Sequence, residues 1–315
     1  MKQRIDAFLA RQDRPELRAS WRHAANFTQR ELLRLQSLDL TPYRFVLVSR
    51  QTHPLLRALI LRAEEQGVPV VYVPHSPLTR FQVDLPVSRA AMRGTAERDW
   101  LAAHAGADPD AIAVVGNPAT AISASPLPSL GGRGVLAVSP DPEPELRRMI
   151  GLLADAGLDD VLIAPHPRSD LAMLERLAPG GWSLHRDGLT VDLLERGPRW
   201  LIQRASGVAW ESALLGIPTA DVRLDGQAPV YPFLDDESAF PALRTAHDVR
   251  EFVDGAGGVD RTRLRAAAER WCAADGDESV ARVRRLLDEV EAGPRIVDAW
   301  APGGVLHRQS PLAGL

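Results

Sequence analysis

Residues 201–224 read LIQRASGVAWESALLGIPTADVRL, and this stretch decides the fold. Trp200 to Gln203 predicts a buried strand, Arg204 to Gly207 a turn, Val208 to Leu215 an apolar helix, and Gly216 with Pro218 the entry to another strand. That is a β-α-β unit, which in one parallel sheet crosses over right-handed. Ser206 is placed to cap the helix, because its hydroxyl can accept from a free first-turn amide, and Gly207 lets a ligand approach the backbone. A helix N-terminus, with unpaired N–H groups and about half a unit of positive charge, favours a bound phosphate. Glu211 follows one turn in, within reach of the same mouth to accept from sugar hydroxyls. The same residues also fit an ordinary strand-loop-helix, with Ser206 a plain cap and Glu211 a solvated charge, so the rest of the chain has to discriminate.

The pattern recurs on both sides. Upstream, Gly134 to Val138 and Val161 to Ala164 are apolar runs of strand length, separated by a helical period from Glu143 to Ala156 and followed by Pro165, His166 and Pro167. A short helix from Asp170 to Leu177 and a turn from Val191 to Arg196 lead into the central stretch. Downstream, an irregular aspartate-rich segment precedes helices near Ala246 to Val253, Arg261 to Ala274 and Glu278 to Glu291. The first part of the chain carries a helical pattern from Pro15 to Leu35, then strands Phe45 to Val48 and Val68 to Val73 around a helix from Pro54 to Gln66. A short strand about Leu85 to Arg89, a helix from Thr95 to Ala105 and a strand from Ala111 to Val115 complete it. Residues 117–134, NPATAISASPLPSLGGRG, have too much Pro, Ser and Gly for any apolar period, and read as a linker. The expected architecture is α/β, with a Rossmann-like domain over 1–118, a linker over 119–133, and a second Rossmann-like domain with terminal helices over 134–315. Two such parallel sheets are expected to face a cleft.

Composition narrows the classes. A chain of 315 residues that is 45% apolar is long enough for two cores. A net charge of -4 with no concentrated basic block argues against nucleic acid as the partner. Lys2 is the sole lysine, so the positive charge is arginine throughout. The single cysteine, Cys272, excludes an intrachain disulfide, and Met1 to Arg14 is charged throughout, with no apolar run near 18 residues anywhere. The expected compartment is the cytoplasm.

Residues just past the carboxyl ends of parallel strands converge where ligands bind. His53, His75, His166, Arg168, Arg204 and Ser206 all fall at such positions, and Arg80 follows His75 by five residues. Zinc-type Cys/His spacing, a GxSxG elbow and a P-loop string are all missing. Asp235, Asp236 and Glu237 lie in the irregular segment without ligand spacing, so no metal site is expected.

Four separated motifs, in order, carry a resemblance. VVYVPHSPLTRF (70–81) is similar to a strand ending in His-Gly, with Ser76 in place of the glycine. WLAAHAGADPDAIAVVGNPA (100–119) resembles a helix, turn and GxP strand closing a first domain. VLIAPHPRSD (161–170) resembles a His-Pro motif, and SGVAWESALLGIPTADV (206–222) a serine-rich turn and helix before the last strand of a nucleotide domain. Together they look like GT-B glycosyltransferases, and within that fold like bacterial capsule polysaccharide transferases, polysialyltransferases and the CDP-glycerol glycerophosphotransferases of teichoic acid synthesis, over roughly residues 44–290.

That resemblance implies a metal-independent transferase with no cofactor, which moves a sugar or alditol phosphate from a CMP- or CDP-linked donor to a carbohydrate acceptor in surface polysaccharide or glycoconjugate synthesis. It assigns His166 to the donor phosphate and its leaving-group charge, with Arg168, Arg204, Ser206, Gly207 and Glu211 as further donor-binding residues. His75 becomes the candidate base on the acceptor side, where His53 and Arg80 are further candidates. Polysialyltransferases use an acidic pair followed by glycine for that step, and no such triplet precedes residue 118; Asp84 and Glu97 are single carboxylates. Peripheral membrane association stays open. Two other readings stand beside this one: a nucleotide-sugar 2-epimerase of the same fold, and a non-catalytic nucleotide- or sugar-binding relative.

Overall fold

The computed structural model describes residues 26–50, 53–80, 87–105, 107–118, 130–224, 228–274 and 276–293. The chain divides into two compact units, Met1–Thr120 with Ala273–Leu315, and Ala121–Cys272.

In the first unit, helix α1 covers 26–34. Four parallel strands follow in the order β1-β2-β3-β4: Val46–Val48, Val70–Tyr72, Arg89–Met92 and Ile112–Val114. Helix α2, Pro54–Glu65, connects β1 to β2, and α3, Thr95–Ala105, connects β3 to β4. Pro54 starts α2, where its missing N–H costs nothing, and Gly67 at φ 65 takes the left-handed turn that follows it. Val48, Ile60, Ala63, Val70, Tyr72, Met92 and Leu101 form the core on one face of the sheet.

The other face is closed from the far end of the sequence. Helix α10, Gly276–Ala292, sets Leu286 against Val71, Ala91 and Val115. The chain arrives there through a backbone contact, with the Asn117 N–H donating to the Ala274 carbonyl at 2.8 Å and the Ala273 N–H to Arg93 at 3.0 Å. Gly116 makes the approach feasible: at φ 89, a Cβ on it would lie 2.1 Å from the Ala274 oxygen.

The second unit holds six described strands, all parallel: β5 Gly134–Val138, β6 Val161–Pro165, β7 Ser183–Leu184, β8 Leu201–Gln203, β9 Thr219–Val222 and β10 Ala242–Leu243. Their order is β10-β9-β8-β5-β6-β7. Counted within the unit, this is the doubly wound Rossmann order, in which the first and fourth strands are neighbours and the winding reverses between them. β5 sits at that reversal and is buried along its whole length. Leu136 and Val138 pack against α4 (Glu143–Asp155) and α8 (Ala246–Gly255), while Val135 and Ala137 face α6 (Thr190–Glu195) and α7 (Val208–Leu214). A strand covered on both faces has to be apolar on both, which is why GVLAV shows no alternation. Leu146, Met149 and Leu153 of α4 are fully buried, each contributing about 1.5–3 kcal/mol in transfer terms. The outer side of α7, through Trp210 and Ala213, rests on Phe233, Phe240 and Leu264, the last from α9 (Arg261–Glu269).

Several expectations need correction. The terminal helices do not all belong to 134–315: α10 returns to the first sheet, because Leu286 and its neighbours match the apolar face left open there. The strand expected at 85–89 runs from Arg89 to Met92. The turn expected at 191–196 is a short helix, α6, whose start is held by the Leu189 N–H on Asp192 Oδ2 at 2.7 Å. β7 and β10, two residues each, and α5 (Leu171–Leu177), shorter by its capping residue Asp170, are the other differences around the second sheet. The helix expected to reach Ala274 stops at Glu269. Of the expected linker, 119–129 lies outside the described residues, as do 15–25 of the first helical pattern; Leu130 packs in the second unit with Val135 and Leu193. Among the described residues no helix is long and apolar enough to cross a membrane.

Candidate functional site

Three adjacent strands of the second sheet deliver their carboxyl ends to one edge: β6, β5 and β8. At the end of β6 stands His166, half-buried, whose N–H donates to the Val138 carbonyl at 3.1 Å and so ties it to β5. Its Nδ1 accepts the Arg168 N–H at 3.1 Å, which places the ring proton of the neutral imidazole on Nε2. Burial, and then the charge of Arg168, hold the imidazole below its usual value. At neutral pH the group is therefore an uncharged Nε2–H donor. Arg168 itself is exposed; Asp170, two residues on, caps α5 by accepting the Met173 N–H at 3.1 Å.

The winding reversal falls between β5 and β8, and the turn after β8 is built with care. Ser139, at the end of β5, donates its hydroxyl to the Arg204 carbonyl at 3.0 Å. Ala205 has φ 51, the one positive φ outside glycine among the described residues, a conformation that costs an ordinary residue about 1–2 kcal/mol. It is held there from below. The Ser206 N–H donates to Gln203 Oε1 at 2.7 Å, Gln203 Nε2 donates to Asp221 Oδ1 at 3.0 Å, and Asp221 also accepts the Ala205 N–H and Arg223 Nε. Asp221 is 2% exposed, and burial pushes its carboxyl up to about 6 against the pull of those donors. Beside this network lies a hollow of about 40 Å³, lined by Arg204, Ala205, Asp221, Arg223, Pro229 and Val230 among others, with room for a few waters and not for a nucleotide.

Ser206 and Gly207 sit where expected, at the entry to α7, with a different division of labour. Gly207 occupies the N-cap position, and the Ser206 hydroxyl meets the Val208 N–H at a long 3.4 Å. Glu211 lies in the first turn of α7, half-buried. Arg204, expected as a phosphate contact, has its guanidinium 2.7 Å from Asp141 and 2.6 Å from Glu145, with 13% of the side chain exposed. It ties the β8 turn to the start of α4. Gln203, Asp221, Arg223 and Ser139 were not singled out in the sequence. A glutamine and an aspartate inside otherwise apolar strands were the available signal, since buried polar side chains require partners.

In the first unit the ends of β1 and β2 meet. His75 Nδ1 lies 3.0 Å from the Ser49 carbonyl, which can only accept, so Nδ1 carries the proton; Arg50 Nε then donates to Nε2 at 3.1 Å. The lone pair that a general base needs is thus engaged by Arg50. Behind this loop Glu97, 2% exposed, accepts the Leu78 and Arg93 N–H groups at 2.8 Å each, and burial raises its carboxyl. Arg93 donates to the carbonyls of Ser76 at 2.6 Å and Pro74 at 3.0 Å. Glu97 therefore holds the loop that carries His75. Asp84 lies outside the described residues, and Arg80 is half-buried at the far end of that loop. His53 is exposed at the start of α2 and, with Phe27, Glu31, Arg34, Pro54 and Leu55, lines a hollow of about 550 Å³. Among the described residues no group of three His, Cys, Asp or Glu is arranged to hold a metal ion.

Two parallel-sheet α/β units, the second in Rossmann order, are the architecture of GT-B proteins, and solved structures bear this out. A calicheamicin glycosyltransferase aligns with a TM-score of 0.56 at 16% identity, over 92% of this chain and 83% of that one. The wall teichoic acid polymerase TagF aligns at 0.50 and 11%, over 72% and 69%. A UDP-GlcNAc 2-epimerase from Neisseria meningitidis, bound to UDP-GlcNAc, aligns at 0.50 and 12%, over 84% and 81%. The fold is GT-B. No family model matches the chain, and no curated protein does. A glycosyltransferase, a wall teichoic acid polymerase and a UDP-GlcNAc 2-epimerase thus all stand among the structural neighbours, and at these identities what they share with this chain is the fold.

Proposed function

We propose that this protein transfers a sugar or an alditol phosphate from a nucleotide-activated donor, CMP- or CDP-linked, to a carbohydrate acceptor. The observation that carries the reading is the shared edge of β6, β5 and β8, where the turn leading into α7 stands at the winding reversal of a Rossmann sheet and an uncharged imidazole N–H stands at the end of the next strand, β6. In such sheets this is where a nucleotide binds. As the bond to the leaving phosphate breaks, its electron pair goes to the bridging oxygen. The His166 Nε2–H is the donor for that growing charge, and preorganised donors of this kind are typically worth 10²–10³ in rate. Arg168 supplies an exposed positive charge beside it. In the first unit His75 is the candidate for the acceptor's proton, and it takes up that role only when Arg50 releases Nε2.

Epimerisation is the second reading, favoured by the solved epimerase bound to UDP-GlcNAc. One experiment separates the two. The protein is incubated with CMP-, CDP- and UDP-activated sugars and with CDP-glycerol, each with and without an oligosaccharide acceptor. Transfer requires an acceptor and releases the nucleotide; epimerisation proceeds without an acceptor and releases none. Tight nucleotide binding without turnover in either arm would favour a binding protein.

A further inference from the structure

Asp221 and Gln203 lie under the turn 204–207, inside strands β9 and β8, and the hollow that Asp221 lines is too small for a nucleotide. Both are buried, Gln203 with no exposed surface and Asp221 with 2%. Buried polar side chains of this kind are retained only when every hydrogen-bonding atom is engaged, and here the engagement points one way. Three donors converge on the two carboxylate oxygens: the Ala205 N–H, Gln203 Nε2 and Arg223 Nε. Gln203 passes the connection on by accepting the Ser206 N–H at 2.7 Å. Consecutive backbone amides of one turn are thus drawn inward to a single carboxylate, one directly and one through the glutamine. Ala205, directly before Ser206, is the one non-glycine among the described residues with a left-handed backbone.

We infer that Asp221, through Gln203, is a positioning residue for the donor-binding turn: it holds Ala205 left-handed and thereby sets the direction in which Ser206 and Gly207 enter α7. This rests on the proposed nucleotide site, and deepens it. Arg223 completes the arrangement from the outer side, its Nη1 donating to Glu237 Oε1 at 2.6 Å, so the carboxylate of Asp221 has a fixed orientation.

The test uses the full chain. Asp221→Asn keeps the volume and leaves one acceptor oxygen for three donors. Gln203→Met keeps the length and removes both hydrogen bonds. Amide hydrogen exchange at Ala205 and Ser206 is expected to accelerate at least tenfold in both variants, with the β5 and β6 amides unchanged. Calorimetry with CMP, CDP and UDP is expected to show at least tenfold weaker affinity for whichever the unaltered protein binds. Adding Ala205→Gly to Asp221→Asn restores much of that affinity, since glycine takes a positive φ without strain; loss of packing alone would not be rescued this way. Unchanged exchange at Ala205 and Ser206 overturns the relay, whatever the ligand. Accelerated exchange with unchanged affinity overturns the positioning role while leaving the nucleotide site standing. Absence of binding by the unaltered protein overturns the nucleotide site, and the positioning role with it.

Discussion

His166 and Asp221 show how position changes the meaning of a side chain. The histidine was legible in the sequence, because a His-Pro pair after an apolar run marks a strand end; that it is uncharged follows from its burial and the charge of Arg168, and that Nε2 is the donor follows from the Arg168 N–H folding back onto Nδ1. Changing His166 to Ala is expected to lower transfer by about 10²-fold while weakening nucleotide binding by only about tenfold, one neutral hydrogen bond being worth about 0.5–1.5 kcal/mol. Steady-state kinetics with separate kcat and KM checks this. Asp221 gives a pH signature. Its folded value of about 6 lies above that of an unfolded aspartate, so the folded state holds the proton more tightly. The contribution is fully present below about pH 4 and is lost as pH rises through 6, which amounts to about 1.4 kcal/mol between pH 5 and pH 7.5. Urea unfolding of wild type and Asp221→Asn at both pH values is expected to show that slope only in the wild type. Arg204 was read from the sequence as a phosphate ligand, and the structure pairs it with Asp141 and Glu145. Nothing local in the string LIQRASG reveals a partner some sixty residues away.

At the level of elements, length governed what could be read. α2, α3 and α4 were placed within a residue or two because they run long enough for an apolar period to register, and β5 because an unbroken apolar run marks a strand covered on both faces. β7, β10 and α6 have two to six residues, too few for any period, and they exist because neighbours pair with them or cap them. The close contact at Gly116 is an element-level dependency. Gly116→Ala is expected to destabilise the first unit by about 1–3 kcal/mol, through backbone strain and the clash with Ala274, and to make α10 accessible to limited proteolysis. Leu286→Ala, which empties part of the packing against Val71, Ala91 and Val115, is expected to cost about 2–5 kcal/mol by chemical denaturation. A null result for both would mean that α10 adds little to the first sheet.

For the whole molecule, two compact units with separate cores predict two unfolding events rather than one. A nucleotide held by the second unit stabilises that unit by about 2.7 kcal/mol at a hundred times its dissociation constant, and leaves the other transition unmoved. Differential scanning calorimetry with and without CDP or UDP would show which transition shifts. The alternation of strands and helices, the Pro/Ser/Gly-rich break and the apolar runs determined the α/β class and the two parallel sheets, because a period of burial is written locally in the side chains. Strand order, the return of α10 to the first sheet and the burial of Asp221 beneath the β8 turn were decided only in three dimensions. Each depends on which distant surface an apolar face or a buried carboxylate meets, and that is a property of packing between segments rather than of any one of them.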